Sequence, residues 1–362
     1  MSIQPKTVLI MAGGTGGHVF PALAVADELL QRGFAVRWLG TSAGIEAELV
    51  PPRGIPLNTI AVSGVRGKGL ATKLMAPLHI LRAVWQARAV LRRGRPAVVI
   101  GFGGFASGPG GLAARLLGIP LVIHEQNAVA GTTNRVLARL AKRAAEAFPG
   151  TLAGARHTGN PVRAEIGALP APAERGVGSR APVRLLVLGG SLGATAINQL
   201  VPAALAQLAP ELRPEVRHQC GRKHGEATGE AYRQVAVDAS VEPFIADMAA
   251  AYGWADLVVC RAGALTVSEL AAAGVGALLI PFPAAIDDHQ TRNGQWLADN
   301  GAAVLVQQRD LDAGVLAQQL GELVSAPARL LAMAEAARHL ARPGAARAVA
   351  DMCQELCQEG RA

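Results

Sequence analysis

Acidic residues are missing from a long stretch of this chain. None lies between Glu48 and Glu125, a span that holds ten lysines and arginines. Residues 1–160 carry 18 basic against 6 acidic side chains, whereas residues 161–362 carry 17 against 21. So one-sided a charge over the first half implies an anionic partner there: nucleic acid, phospholipid or a phosphorylated substrate. Aromatic residues are scarce too, 4% of the 362. Base-stacking surfaces need them, so nucleic acid is the least favoured of the three. The four cysteines form no Cys-x-x-Cys pair, and Cys353 and Cys357, one helical turn apart, have no neighbouring histidine. Reduced thiols are expected, with no metal and no cofactor. No apolar run reaches the roughly 18–20 residues that cross a bilayer. The segment Met1–Lys6 lacks a signal-peptide core, so a cytoplasmic location is expected.

What the chain has in abundance is glycine at strand ends. Gly13-Gly14-Thr15-Gly16-Gly17-His18 follows the apolar run Val8–Met11, and Gly189-Gly190-Ser191-Leu192-Gly193-Ala194 follows Leu185–Leu188. Each reads strand, glycine turn, helix. Glycine lets backbone N–H groups converge, and a helix start adds free donors and a positive dipole end, which together suit a phosphate. Neither turn is the dinucleotide fingerprint, since Val19 and Ser191 stand where glycine is required, and neither ends in the Gly-Lys-Ser/Thr of a P-loop.

Strand and helix patterns alternate throughout, which demands mostly parallel sheets. Strands are expected at 6–12, 34–39, 57–61, 97–101, 120–123 and 144–147. A second set is expected at 183–188, 214–219, 240–242, 256–260, 276–280 and 302–306. Helices are expected at 19–32, 43–50, 69–93, 109–117 and 132–141, then at 193–208, 245–252, 264–273, 288–299, 310–324, 327–340 and 344–358, with Pro77 breaking or kinking the one over 69–93. The breaker-rich stretch 169–182 reads as a loop or an interdomain connection.

Further polar clusters sit at expected strand ends. His18 closes the first glycine turn, either as a capping group or as a base whose neutral form the helix end favours. Six glycines in residues 101–111 suit a binding loop. His124-Glu125-Gln126-Asn127 reads as a capping loop or a ligand contact. Glu269, early in a helix, suits either a capping carboxylate or a grip on two ribose hydroxyls. Asp310-Leu311-Asp312 has the spacing of a metal-binding motif, but helix capping is the better reading. Leu74, Leu78, Leu81 and Trp85, interleaved with arginines, read as a core face or as a membrane-surface patch.

Six segments taken in order resemble the MurG family of bacterial N-acetylglucosaminyltransferases: GGTGGHVFPALAVA (13–26), GFGGFASGPGGLAA (101–114), HEQNAVAG (124–131), TGNPVR (158–163), GGSLGA (189–194) and RAGALTVSELAAAG (261–274). The family's turn usually has glutamine where Leu192 stands, and Gly276 replaces a common proline. The resemblance implies an α/β GT-B fold, two Rossmann-like parallel-sheet domains facing a central cleft. It also implies an acceptor- and membrane-facing domain at 1–162, a UDP-N-acetylglucosamine domain at 163–340, and a C-terminal helix, 341–362, packing back towards the first domain. Its donor residues fall here on Thr15, Gly16, Gly17, Asn127, Arg163, Ser191, Ile245, Ala264, Leu265, Thr266, Val267, Ser268, Glu269 and Gln290. His18 matches the candidate base, and Glu125 is a lesser candidate. Implied partners are UDP-N-acetylglucosamine, a lipid-linked muramoyl-pentapeptide acceptor, the anionic inner-membrane surface and other cell-wall synthesis proteins, with the enzyme peripheral on the cytoplasmic face. A soluble-acceptor transferase, a sugar-nucleotide epimerase and a non-enzymatic UDP-binding protein are the rival readings.

Overall fold

The structure, a computed structural model, describes residues 5–62, 70–190 and 193–359. Two compact units divide it: Met1–Arg163 with Arg342–Ala362, and Ala164–Ala341. The first contains β1 (Thr7–Ala12), α1 (Gly16–Gln31), β2 (Ala35–Gly40), α2 (Glu46–Leu49), β3 (Leu57–Thr59), α3 (Leu70–Gly94), β4 (Val98–Gly103), α4 (Ser107–Leu116), β5 (Leu121–Glu125), α5 (Thr132–Ala138), β6 (Arg143–Glu146) and β7 (Arg156–His157). All strands are parallel, in the order β3-β2-β1-β4-β5-β6-β7.

β1 is an uninterrupted apolar run because both of its faces are covered. Val8 and Ile10 join a core with α1, whereas Leu9 and Met11 face Ala83, Ala87 and Leu91 of α3 and Ala113 of α4. Pro77 does not break α3, which runs continuously from Leu70 to Gly94. The β1–β4 register slips between Met11 and Ala12, immediately before the first glycine turn. There the Trp38 indole donates to Ala12 O at 2.8 Å.

The second unit contains α6 (Ala164–Gly167), β8 (Arg184–Leu188), α7 (Thr195–Ala206), β9 (Glu215–Gln219), α8 (Gly225–Gln234), β10 (Ser240–Glu242), α9 (Met248–Trp254), β11 (Leu257–Cys260), α10 (Ala264–Ala273), β12 (Gly276–Leu279), α11 (His289–Asp299), β13 (Ala303–Leu305), α12 (Ala313–Val324) and α13 (Pro327–His339). Its sheet is again parallel, ordered β10-β9-β8-β11-β12-β13. Leu185 and Val187 pack with Ile197, Val201 and Leu205 of α7 and Leu316 and Leu320 of α12. The helix α14 (Ala345–Glu359) then packs on α1 in the first unit. It adds Val349, Cys353 and Leu356 to the core there. Arg32 pins it, donating to Asp351 Oδ1 at 2.7 Å and Gln354 Oε1 at 3.1 Å. In both sheets the strand order reverses beside the first strand, between β1 and β4 and between β8 and β11, which is where α/β sheets bind ligands.

The loop 169–182 belongs to the second unit and is anchored by the buried Arg175, with Arg338 donating to Leu169 O (2.9 Å) and Arg180 to Asp256 Oδ1 (2.6 Å) as further ties. Arg175 donates to Tyr252 O (3.0 Å), Ala273 O (2.8 Å), Gly274 O (2.6 Å) and Pro170 O (3.2 Å). It thereby satisfies carbonyls at the C-terminus of α10, where a cation is also favoured by the helix dipole. Arg175→Ala leaves those acceptors buried without a donor, so urea unfolding should show a loss of about 2–4 kcal/mol. Arg175→Lys should recover only part of it. Parent-like stability in Arg175→Ala would contradict this anchoring role.

Candidate active site

At the carboxyl edge of the first sheet, a buried carboxylate that the sequence reading passed over shapes the glycine turn. Glu46, fully buried, accepts from Gly14 N at 3.0 Å and from Thr41 N and Oγ1, both at 2.8 Å. A Cβ on Gly13 or Gly44 would overlap its carboxylate, and one on Gly40 its Cγ. The glycines are therefore the space that Glu46 occupies. Their only sequence signal is an acid placed beside glycines at the end of β2. Gly14, at φ 90, is in the left-handed region. Thr15 is the extended residue before α1 and makes no side-chain cap, and Gly16, Gly17 and His18 open the helix, half-buried.

The glycine loop after β4 packs against this turn. A Cβ on Gly104, also at positive φ, would overlap Gly13 O, and one on Gly103 would lie 3.0 Å from His18 Cε1 and Nδ1. Ser107 ties the loop down, donating to Gly103 O at 2.6 Å and accepting from Gly103 N at 3.2 Å. His18 Nδ1 lies 3.0 Å from Gln126 Oε1. Gln126 Nε2 in turn lies 3.1 Å from His124 Nδ1 and 3.0 Å from His124 O, and His124 Nε2 lies 3.0 Å from Gly159 O. His18, Gly103, His124 and Gln126 are thus one assembly built from the ends of β1, β4 and β5.

Glu125 points elsewhere. It is buried, with Oε1 accepting from Asn127 N (2.9 Å) and Nδ2 (3.3 Å), and Oε2 from Asn134 Nδ2 (2.9 Å) and Gly131 N (3.2 Å). Its charge is spent on folding the loop that presents Asn127. Arg163 lies with its guanidinium 5.7 Å from the Phe20 ring centre.

In the second unit, the glycine turn after β8 is held from below. Gly190 N donates to Gln219 Oε1 and Gly190 O accepts from Gln219 Nε2, both at 3.0 Å. Beneath α7, Tyr232 OH donates to His218 Nδ1 (2.9 Å), His218 Nε2 to Asn198 Oδ1 (3.0 Å), and Asn198 Nδ2 to Cys220 O (2.9 Å). The helix itself begins after Ala194 with no side-chain cap, so its end is open to an anion. Ser191 and Leu192 lie outside the described residues.

Beside this helix start is a cavity of about 590 Å³ lined by Ala194, Thr195, Arg261, Phe282, Gln290 and Gln308 among others. Arg261, at the end of β11, donates to Ile280 O and Pro281 O at 3.1 Å and to Gln308 Oε1 at 2.6 Å. Gln290 accepts from Phe282 N at 2.9 Å. On α10, Ala264 and Val267 are buried, while Leu265, Thr266 and Ser268 are half-buried. Glu269 is buried, with Oε2 accepting from Tyr252 OH at 3.1 Å. Ile245 is buried in the loop between β10 and α9. Asp312 caps α12 through Val315 N at 2.8 Å, so half of the Asp-x-Asp motif serves a helix end.

The stripe on α3 is not a core face. Leu78, Leu81 and Trp85 are 59%, 54% and 59% exposed, and the core is made by Ala83, Ala87 and Leu91 instead. Arg88 lies 5.2 Å from the Trp85 ring centre. Leu112 and Leu116 on α4, Val136 on α5 and Leu140 just after it are exposed too, and α3, α4 and α5 pack in succession. Arg66 and Lys68 lie outside the described residues.

Residues 8–146 match the glycosyltransferase family 28 N-terminal domain and residues 184–352 its C-terminal domain. The chain is 60% identical over 352 residues to the UDP-N-acetylglucosamine–N-acetylmuramyl-(pentapeptide) pyrophosphoryl-undecaprenol N-acetylglucosamine transferase of Stutzerimonas stutzeri (strain A1501), covering 96% of this chain and 98% of that one. It is 61% identical to the transferase of the same name from Ectopseudomonas mendocina (strain ymp), again over 352 residues, 96% of this chain and 98% of that one. The crystal structure of Acinetobacter baumannii MurG superposes with a TM-score of 0.85 at 47% identity, covering 97% of this chain and all of that one. The calicheamicin glycosyltransferase CalG4 shares the fold alone, at 16% identity and a TM-score of 0.67, over 99% of this chain and all of that one.

Burial pushes the His124 and His218 imidazoles from an ordinary 6.5 down to about 4. Both are neutral in the fold, whereas the unfolded chain binds their protons at higher pH. The stability they permit is complete above pH 6.5 and is lost as pH falls towards 4. Each such shift corresponds to at most about 3 kcal/mol. Urea midpoints should therefore fall through that window, and His218→Gln should flatten the fall. An unaltered pH slope in the variant would contradict the assignment.

Proposed function

The chain belongs to glycosyltransferase family 28, and on that premise we infer that it moves N-acetylglucosamine from UDP-N-acetylglucosamine to N-acetylmuramyl-(pentapeptide) pyrophosphoryl-undecaprenol, a step of peptidoglycan synthesis. The observation that carries this is identity of about 60% over nearly the whole chain to enzymes of that name. The fold is GT-B: two Rossmann-like units with parallel sheets.

The two units divide the chemistry. In the second, the open start of α7 and the neighbouring Arg261 favour a diphosphate, since both present positive charge. Glu269 is a buried carboxylate held in one rotamer by Tyr252, which suits a bidentate grip on ribose hydroxyls. Gln290 lines the same cavity and suits the sugar hydroxyls, and the backbone of Ile245 suits the uracil. In the first unit, Gly14 N–H already serves Glu46. That half of the machinery is thus built less for a phosphate than for placing His18, with Thr15, Gly16, Gly17, Asn127 and Arg163 around it as sugar and phosphate contacts.

The displacement is a single inverting step. The acceptor's 4-hydroxyl oxygen bonds to the anomeric carbon and its proton passes to the His18 imidazole. The bond from the anomeric carbon to the phosphate oxygen breaks with its electron pair going to UDP, where the α7 dipole stabilises the charge. His18 takes this role rather than Glu125, whose oxygens are committed to four loop donors.

The exposed apolar side chains of α3, α4 and α5, interleaved with arginines, form the surface that meets an anionic membrane at its cytoplasmic face. No helix among the described residues is long and apolar enough to cross it, and the attachment we infer is peripheral.

His18→Ala should lower kcat by about 10²–10⁴-fold while UDP affinity holds; full activity would remove His18 from the mechanism. Glu269→Ala should weaken UDP binding measured by calorimetry, and unchanged affinity would count against the ribose contact. In flotation assays the chain should rise with anionic vesicles and much less with neutral ones, and Trp85→Glu should reduce recovery. Equal recovery from both lipids would argue against the membrane surface.

A further inference from the structure

We propose that Gln126 and His124 are positioning residues that lock the His18 imidazole in one tautomer, with its proton on Nδ1 and the accepting lone pair on Nε2. The proposal rests on the reading of His18 as the base.

A backbone carbonyl only accepts, so the His124 Nε2 beside Gly159 O carries a proton. Burial keeps this ring neutral, which leaves a lone pair on its Nδ1. The Gln126 amide therefore faces two acceptors, His124 Nδ1 and His124 O, and must turn its NH₂ group to them. The reversed amide would set oxygen against both in a side chain only 1% exposed, where no water compensates the lost bonds. With its NH₂ group committed, Gln126 presents Oε1 to His18 Nδ1 at 3.0 Å. An amide oxygen cannot donate, so Nδ1 does, and a neutral His18 has its lone pair on Nε2. The Gly103 main chain supports the ring at a distance where a Cβ would come within 3.0 Å of Cε1 and Nδ1. The relay thus sets the proton and the glycine loop sets the plane.

The arrangement also suits the step itself. When the acceptor hydroxyl gives its proton to Nε2, the ring becomes a cation that keeps its Nδ1–H bond to Gln126. That bond strengthens with the charge, so it favours the transition state over the ground state. Free histidine prefers the opposite tautomer, with the proton on Nε2, in which the outward nitrogen is useless as a base. A buried neutral amide, unlike a carboxylate, selects the tautomer without adding negative charge beside the base.

The direct test is the tautomer of the unaltered enzyme. Long-range ¹H–¹⁵N spectra of histidine-labelled protein, with the His18 peaks assigned by their loss in His18→Gln, should show Nδ1 protonated and Nε2 bare. Gln126→Leu should move His18 towards the Nε2–H form and cut kcat by about 10–100-fold, leaving the KM for UDP-N-acetylglucosamine within about twofold. An Nε2–H tautomer in the unaltered enzyme overturns the proposal, as does a Gln126→Leu enzyme with parent tautomer and kcat. If Gln126→Leu does not fold, the parent spectrum decides alone. Full activity in His18→Ala overturns the base reading instead, whatever the spectrum shows, so the two failures are distinguishable.

Discussion

A parallel strand buried on both faces has only its ends for chemistry. Val8–Met11 and Leu185–Leu188 are each enclosed by helices above and below. Every polar group with work to do is therefore displaced to a carboxyl end, and the polar groups needed to hold the turns there must be buried with them. Glu46, Gln126 and His124 in one unit, and Gln219, His218 and Asn198 in the other, meet that need. They are inaccessible, they are hydrogen-bonded, and the shape of each turn depends on them.

The two glycine turns share an outline and differ in charge. Under the first lies the enzyme's own carboxylate, bonded to Gly14 N. Under the second lies a neutral amide, Gln219, bonded to Gly190. An anion approaching the first meets a fixed negative charge, whereas at the second it meets an uncapped helix and a guanidinium. At the first turn one backbone donor is already taken by the chain itself.

Much of this was legible in the sequence, and the exceptions have physical reasons. Continuous apolar runs marked central strands such as β1, β8, β11 and β12 to within a residue or two, because burial on two faces leaves few polar interruptions to blur them. The helix α8 escaped notice since Gly-Glu-Ala-Thr-Gly-Glu-Ala-Tyr-Arg-Gln buries only Thr228 and Tyr232, too few for a periodic signal. The two-residue β7 has no apolar run at all. Leu78, Leu81 and Trp85 show the spacing of a core stripe, and spacing alone cannot distinguish a face turned to protein from one turned to lipid. At the site, the quartet His124–Asn127 stood out as polar side chains at a strand end, but their division of labour did not. Glu125 faces its own loop and Gln126 faces His18, a distinction that depends on which side of an extended strand each residue occupies. Glu46 looks like any surface acid at a helix start until the three glycines around it are seen to be its walls.

The last helix has a consequence for how the molecule is made. Its Val349, Cys353 and Leu356 complete the core around β1 and α1, more than three hundred residues after that core begins. A ribosome delivers the first unit's sheet before the second unit and its last helix after it. The intervening unit is a contiguous segment and closes its own core as it emerges. The first must wait with one side of α1 uncovered, exposing apolar surface while the second unit is translated. Arg32, with partners on α14, serves as the latch that ends that interval.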